Sequence, residues 1–238
     1  MKAMLLAAGY GTRLGEITAK KPKCMVTVGG EPMLGHWLNK LDRLGVNKFY
    51  VNTHYLSEQV EEYLCHHPLR KKIEILHENH LLGTAGALNR HRHLFDDTTF
   101  IVHVDNYCHD NLRGLVDTFH KRPAEALMSF LVFKSSTPCN CGVVTIDKNG
   151  LMSGFYEKQK KPPSNIASGA VFLCSRQFFN FFAKIFDSQT DFSAEIMPLM
   201  KKKANCYKTD LFFIDIGTLG NLQLANQFAT FQNESIVQ

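Results

Sequence analysis

Along the chain, apolar and polar positions alternate in blocks that predict strand, loop and helix in turn. Residues 2 to 7 (KAMLLA) form an apolar run expected to be a buried strand. From Pro32 to Leu44 the positions Met33, Leu34, Trp37, Leu38, Leu41 and Leu44 fall at helical spacing, and Gly45 ends the run. KFYVNT (48 to 53) predicts a second strand, followed by a helix capped by Ser57 that runs to about Leu64. KKIEILH (71 to 77) predicts a third strand, GTAGALNR opens another helix, and FIVHV (100 to 104) is a fourth strand. Strands alternating with helices predict an α/β fold: a Rossmann-like, open, mixed but mostly parallel sheet with helices on both faces.

The pattern changes in the second half. ALMSFLVFK (126 to 134), GVVTID (142 to 147) and LMSGFYE (151 to 157) follow one another without a helix, and DKNG marks a hairpin turn, so an antiparallel extension is expected there. A strand at 170 to 173 and a helix from Arg176 to Ile185 follow. LFFI (211 to 214) then leads into a last helix from about Leu219. The stripe Phe178, Phe179, Phe181 and Phe182 reads as core packing. No internal repeat or low-complexity segment stands out.

Composition narrows the function without naming it. At 238 residues, with 45% hydrophobic and 21% charged side chains, the chain can bury a sizeable core as one domain. Seven scattered cysteines match no secreted framework, which points to a reducing, cytoplasmic setting, and the CxC of Cys139 and Cys141 lacks the second pair a zinc site needs. The apolar run at the amino terminus is shorter than a signal-peptide core, and no segment reaches the length of a membrane span. A net charge of +5 is modest, and Lys201 to Lys203 reads as a solvated helix end, so neither a membrane nor a nucleic-acid partner is expected. Mild positive charge suits small anions. His77, His80, His91 and His93 read as strand alternation and a helix end, not as a metal cluster.

The chemistry-bearing signal is the glycine-rich stretch after the first strand. Gly9 and Gly11 are followed by Leu14 and then Gly15, which breaks the dinucleotide fingerprint GxGxxG, and Thr53 and His54 stand where an acidic residue would end the second strand. No glycine precedes the Lys-Ser/Thr pair of a Walker loop. What remains is a loop of small residues with Thr12, Arg13 and Lys23, able to bring backbone N–H groups and cations to a polyphosphate.

LLAAGYGTRL (5 to 14) with KPKCM (21 to 25) resembles the signature of the sugar-1-phosphate nucleotidylyltransferases. The likeness continues in order through GTAGAL (83 to 88), VDN (104 to 106), CGVV (141 to 144), YEK (156 to 158), ASGAVF (167 to 172) and FIDIGT (213 to 218). It implies one nucleotidyltransferase domain over 1–238, with a nucleotide-binding half at 1–125 and a sugar-phosphate half at 126–238. It also implies a reaction of NTP with a sugar 1-phosphate, giving NDP-sugar and pyrophosphate with Mg2+ as cofactor. The implied catalytic residues are Arg13, Lys23 and Asp105, with Asp105 and Asp215 as metal ligands. Nucleotide contacts are expected at Ala7, Ala8, Gly9, Gly11, Thr12, Glu78, Gly83 and Thr84, the last also capping its helix. Sugar-phosphate contacts are expected at Gly142, Glu157, Lys158, Ser168 and Gly169.

Departures from the family pattern shape the substrate expectation. Glu78 stands where relatives commonly carry Gln, and a carboxylate only accepts hydrogen bonds. Guanine offers two adjacent donors on its Watson–Crick edge, which favours GTP with mannose or heptose 1-phosphate over a uridylyltransferase. Ser168 replaces the amide of the family's Asn-Ala-Gly, leaving that sugar contact open. VDNY is similar to the phosphocholine cytidylyltransferase branch, and a catalytically silent nucleotide-sugar-binding subunit is a further alternative. Joint retention of Arg13, Lys23, Asp105 and Asp215 favours an enzyme. No hexapeptide repeats appear that would predict an appended acyltransferase domain, and assembly into a homo-oligomer stays open.

Overall fold

The computed structural model describes residues 1–236, with side chains through residue 232. In chain order the elements are β1 (Lys2–Leu6), α1 (Glu16–Lys20), β2 (Thr27–Val28), β3 (Glu31–Pro32), α2 (Met33–Asp42), β4 (Lys48–Thr53), α3 (Ser57–His66), β5 (Ile73–His77) and α4 (Gly83–Arg90). Then come β6 (Thr99–His103), β7 (Asn106–Cys108), α5 (Arg113–His120), β8 (Met128–Lys134), β9 (Gly142–Ile146), β10 (Met152–Glu157), β11 (Ile166–Cys174), α6 (Arg176–Ile185), β12 (Ala204–Lys208), β13 (Phe213–Asp215) and α7 (Leu219–Ile236). The architecture is the expected α/β one, a mixed central sheet with helices. Among the described residues no helix is long and apolar enough to cross a membrane.

Two compact units interleave along the chain. One contains Met1–Ala3, Leu82–Val102 and Asp110–Leu211; the other contains Met4–Leu81, His103–His109 and the chain from Phe212 onward. The first is organised on β11, which pairs antiparallel with β6 and β8 and touches β9, while β12 adds to β8 in parallel. The expected hairpin is present, β9 against β10. Its turn closes because Asp147 Oδ1 accepts from the N–H groups of Asn149 and Leu151, a side chain standing in for a backbone acceptor. Ser175 caps α6 through the Phe178 N–H, and Phe178, Phe179 and Phe182 are buried as the stripe predicted, with Phe181 partly covered.

In the second unit β4 pairs in parallel with β5, and β1 lies beside β4. The amphipathic helix α2 buries Met33, Leu34, Trp37, Leu38 and Leu41, and the Trp37 Nε1–H donates to the Asn106 carbonyl (3.0 Å). A cluster of Leu14, Val26, Val28, Met33, Tyr107, Ile216, Ala225 and Ala229 ties the glycine-rich loop, β2, β7 and α7 into one apolar base.

Local expectations are corrected at the helix starts. Ser57 is the first residue of α3, not its cap; Leu56 precedes it in the left-handed region (φ 48°) and no side chain caps the end. Thr84 likewise lies within α4, and its hydroxyl oxygen instead accepts from the Phe192 N–H (2.8 Å). Helix α5 and strands β7 and β12 were not anticipated. The last is only five residues of mixed character, and its pairing with β8 is a tertiary matter.

Candidate active site

The ribbon β7–β13 determines where two acids meet. The strands run antiparallel with Asp215 opposite Asn106, and the Ile216 N–H donates to the Asp105 carbonyl (3.0 Å). Residues 110 apart in sequence thereby become neighbours. Asp215 is held by a local turn, its Oδ1 accepting from the Gly217 N–H (2.6 Å), while Asn221 Nδ2 donates to the Asp215 carbonyl (2.7 Å). Asp105 follows β6, whose end meets β1 through the Val104 N–H and the Leu6 carbonyl (3.5 Å).

The glycine-rich loop brings cations to these acids. Lys23 Nζ lies 2.5 Å from Asp105 Oδ2 and 3.5 Å from Asp215 Oδ1, and Arg13 Nη2 lies 3.2 Å from Asp215 Oδ2. Lys23 is 11% exposed and Asp105 29%, whereas Arg13 stands in solvent at 61%. Two glycines make room for this arrangement. A Cβ on Gly11, whose φ is +68°, would sit 2.8 Å from the Lys23 Cβ, and one on Gly217 would sit 2.6 Å from Arg13 Nη2. Burial raises the Asp105 carboxyl, but the charges of Lys23 and His103, with hydrogen bonds from the Lys23 ammonium and the backbone, outweigh it and hold the group below its ordinary value of 3.8.

A buried amide links the strand ends. Asn52, at the end of β4, accepts from the Ala7 N–H (2.7 Å) and donates to Glu78 Oε1 (2.7 Å). Glu78 is 3% exposed; its N–H donates to the Thr53 carbonyl (2.8 Å), and its own carbonyl meets His54 Nδ1 (2.8 Å). The other ring nitrogen of His54 lies 3.1 Å from the Tyr10 hydroxyl in the loop. The Ala7 N–H is thus committed inside the protein, and Ala7 and Ala8 are buried, while Gly9, Thr12 and Arg13 face solvent. Asn52 belongs to this framework without a signal in the local sequence, because it acts through Ala7 and Glu78, both distant along the chain.

The remaining candidates lie in the other unit. Gly83, at φ +73°, faces the Thr190 carbonyl closely enough that a Cβ would collide with it, and the Ala85 N–H donates to the same oxygen (2.9 Å). Gly142 opposes Glu157 across the β9–β10 hairpin, and a Cβ there would lie 2.5 Å from Phe155 Cζ and 2.7 Å from Glu157 Oε2. Lys158 Nζ pairs with Glu157 Oε1 (3.2 Å). Lys158 (φ 45°) and Ala170 (φ 50°) are both in the left-handed region, and the Ser168 hydroxyl accepts from the Ala170 N–H (3.2 Å) beside Gly169. Strain at non-glycine residues costs on the order of 1–3 kcal/mol each and gathers where a backbone must present a group in a fixed direction.

Asp105 and Asp215 suit a hard divalent cation. Both present carboxylate oxygens to one point, where Lys23 already sits, and Mg2+ takes one or two carboxylates and completes its shell with water and phosphate oxygens. Among the described residues no group of three or more His, Cys, Asp or Glu side chains is arranged to hold a metal.

Comparisons with known proteins bear on the family and the fold. A family model described as nucleotidyl transferase matches residues 2–232. The mannose-1-phosphate guanylyltransferase catalytic subunit beta of Drosophila melanogaster is 29% identical over 223 residues, 91% of this chain and 59% of that protein. The protein of the same name from Dictyostelium discoideum is 30% identical over 226 residues, 91% of this chain and 61% of that one. The chain therefore spans about three fifths of the length of these relatives. A Bacillus anthracis crystal structure, of a candidate glucose-1-phosphate thymidylyltransferase in complex with a sucrose, superposes with a TM-score of 0.84 at 23% identity, covering 96% of this chain and 95% of that one. HddC from Yersinia pseudotuberculosis complexed with GMP-PN gives 0.77 at 20% identity, covering 95% and 98%. At those identities the structural likeness bears on the fold alone. The family match includes both units and every motif quoted above, and the chain belongs to the nucleotidyl transferase family.

Proposed function

We propose that the protein transfers the nucleotidyl group of a nucleoside triphosphate to a sugar 1-phosphate with release of pyrophosphate, in a Mg2+-dependent reaction. GTP with mannose or heptose 1-phosphate is the favoured pair. The observation that carries the reading is the meeting of Arg13, Lys23, Asp105 and Asp215 at the carboxyl ends of strands, where ligands of open α/β sheets bind. Relatives named as mannose-1-phosphate guanylyltransferases support the choice of substrates.

The chemistry needs little beyond charge and alignment. A phosphate monoester is already largely dianionic at neutral pH, its second pKa being about 6, so the acceptor attacks without a general base. The obstacle is bringing two polyanions together and neutralising the phosphorus under attack. Arg13, exposed at the loop, offers its planar fork to the β- and γ-phosphates that depart as pyrophosphate. Lys23 brings a single positive charge to the α-phosphate, and the backbone at Gly9, Gly11 and Thr12 lets the triphosphate approach closely. Asp105 and Asp215 would hold Mg2+, which when bound neutralises phosphate charge and aligns donor and acceptor. Glu157 accepts from sugar hydroxyls and Lys158 meets the acceptor phosphate, with Gly142, Ser168 and Gly169 beside the ring. Glu78, steadied by Asn52, reads the base.

A pyrophosphate-release screen tests the reading, pairing GTP, UTP, CTP, dTTP and ATP with a panel of sugar 1-phosphates and with phosphocholine, with Mg2+ or with EDTA. Release is expected to be greatest for GTP with mannose or heptose 1-phosphate and to vanish in EDTA. Absence of release from every pair would refute the reaction, and a preference for CTP with phosphocholine would refute the acceptor.

A further inference from the structure

Lys23 occupies a position that the proposed reaction also requires for another cation. Its ammonium is 2.5 Å from one oxygen of Asp105 and 3.5 Å from one of Asp215, the two carboxylates assigned to the metal. Arg13 takes the second oxygen of Asp215. In this arrangement each cation meant for phosphate is neutralised by an acid meant for metal, and the four formal charges cancel. We propose that Lys23 is a built-in counter-ion for the metal position, so that entry of a divalent cation and release of Lys23 toward phosphate are one exchange. This rests on the reading of the site given above and adds a coupling to it.

Three observations support the exchange. A point charge of +1 and one of +2 cannot share a pair of carboxylates at these distances without strong repulsion, so the two occupants compete. The stem of Lys23 is pinned, since the backbone at Gly11 lies against its Cβ closely enough to exclude any side chain there, so that only the flexible end of the lysine is free to swing. The acids stay in place without Lys23, because Asp215 is fixed by the Gly217 N–H and the β7–β13 ribbon, to which Asp105 is tied by the Ile216 N–H. The consequence is mutual: phosphate draws Lys23 away and opens the acids, and a metal on the acids frees Lys23 for phosphate.

Mn2+ binding to the nucleotide-free protein, read from the free-ion signal by electron paramagnetic resonance, tests the exchange without any turnover. Lys23→Met should bind Mn2+ about tenfold or more tightly than the wild type, a gain of the size usual for coupled sites, while Lys23→Arg should stay weak. Lys23→Gln substitutes for Lys23→Met if circular dichroism shows the latter unfolded. Unchanged or weaker binding in the charge-removing variants, or equal tightening by Lys23→Arg, would overturn the exchange and leave the reading of the site standing. Adding Asp105→Asn to Lys23→Met should abolish the gain. If the double variant binds Mn2+ just as tightly, the ion is held elsewhere and the assignment of the acids fails with the exchange.

Discussion

The two glycine segments, GYGTRLG at 9–15 and GTAG at 83–86, look alike in sequence and differ in what their glycines accommodate. Gly11, helped by Gly217 from beyond β13, clears space for charged side chains: the stem of Lys23 and the guanidinium of Arg13. Gly83 clears space for a backbone carbonyl, that of Thr190, which also receives the Ala85 N–H and so docks the start of α4. A glycine that yields to a flexible charged group tunes a site, whereas one that yields to fixed backbone holds a fold together. Glycine content alone does not separate these uses, because the residue type reports only that something comes close.

Four substitutions put this contrast to the test. The largest effect is expected from Asp105→Ala in the charged cluster, which should lower kcat roughly a thousandfold while circular dichroism and the melting profile remain those of a folded protein. Near-normal Mg2+-dependent turnover would remove Asp105 from the mechanism. Next comes Gly83→Ala, expected to cost about 2–4 kcal/mol in urea unfolding, since it adds a Cβ against a carbonyl at a positive φ. A stability loss below about 1 kcal/mol would show that the Thr190 contact yields easily.

Gly217→Ala should behave in the opposite sense. Its Cβ displaces the Arg13 guanidinium instead of backbone, so kcat/KM is expected to fall about 10- to 100-fold with stability altered by less than about 1 kcal/mol. Equal losses of stability in the two glycine variants would erase the distinction between the two glycines. The smallest effect is expected at Ser168, whose hydroxyl serves the turn to Ala170. Ser168→Asn should change KM for the acceptor by less than about tenfold and leave KM for the NTP alone. A larger shift would mean that this position grips the sugar directly.

Much of the fold was legible along the chain. Helix α6 declared itself through its spaced phenylalanines, and the hairpin β9–β10 through DKNG, because both depend on contacts within a few residues. Strand β11 was foreseen only at 170 to 173 and runs from Ile166, since its earlier half, interrupted by the irregularity between Ser168 and Phe172, pairs with β8 and β9. The cap assigned to Thr84 failed for a related reason: a distant N–H at Phe192 competes for its oxygen. Glu78 was expected as a base reader, and nothing local revealed that Asn52 would hold one of its oxygens beneath the surface.

The residue types of the site, the order of its motifs and most local elements were already set along the chain, because periodicity and turn residues act over short separations. The tertiary structure decided which charges meet. That Asp215 lies beside Asp105 and that Lys23 stands between them follow from the pairing of β7 with β13 and from packing across long separations. The free energy of such pairings lies in backbone hydrogen bonds and excluded volume between distant segments, and no window of sequence contains it.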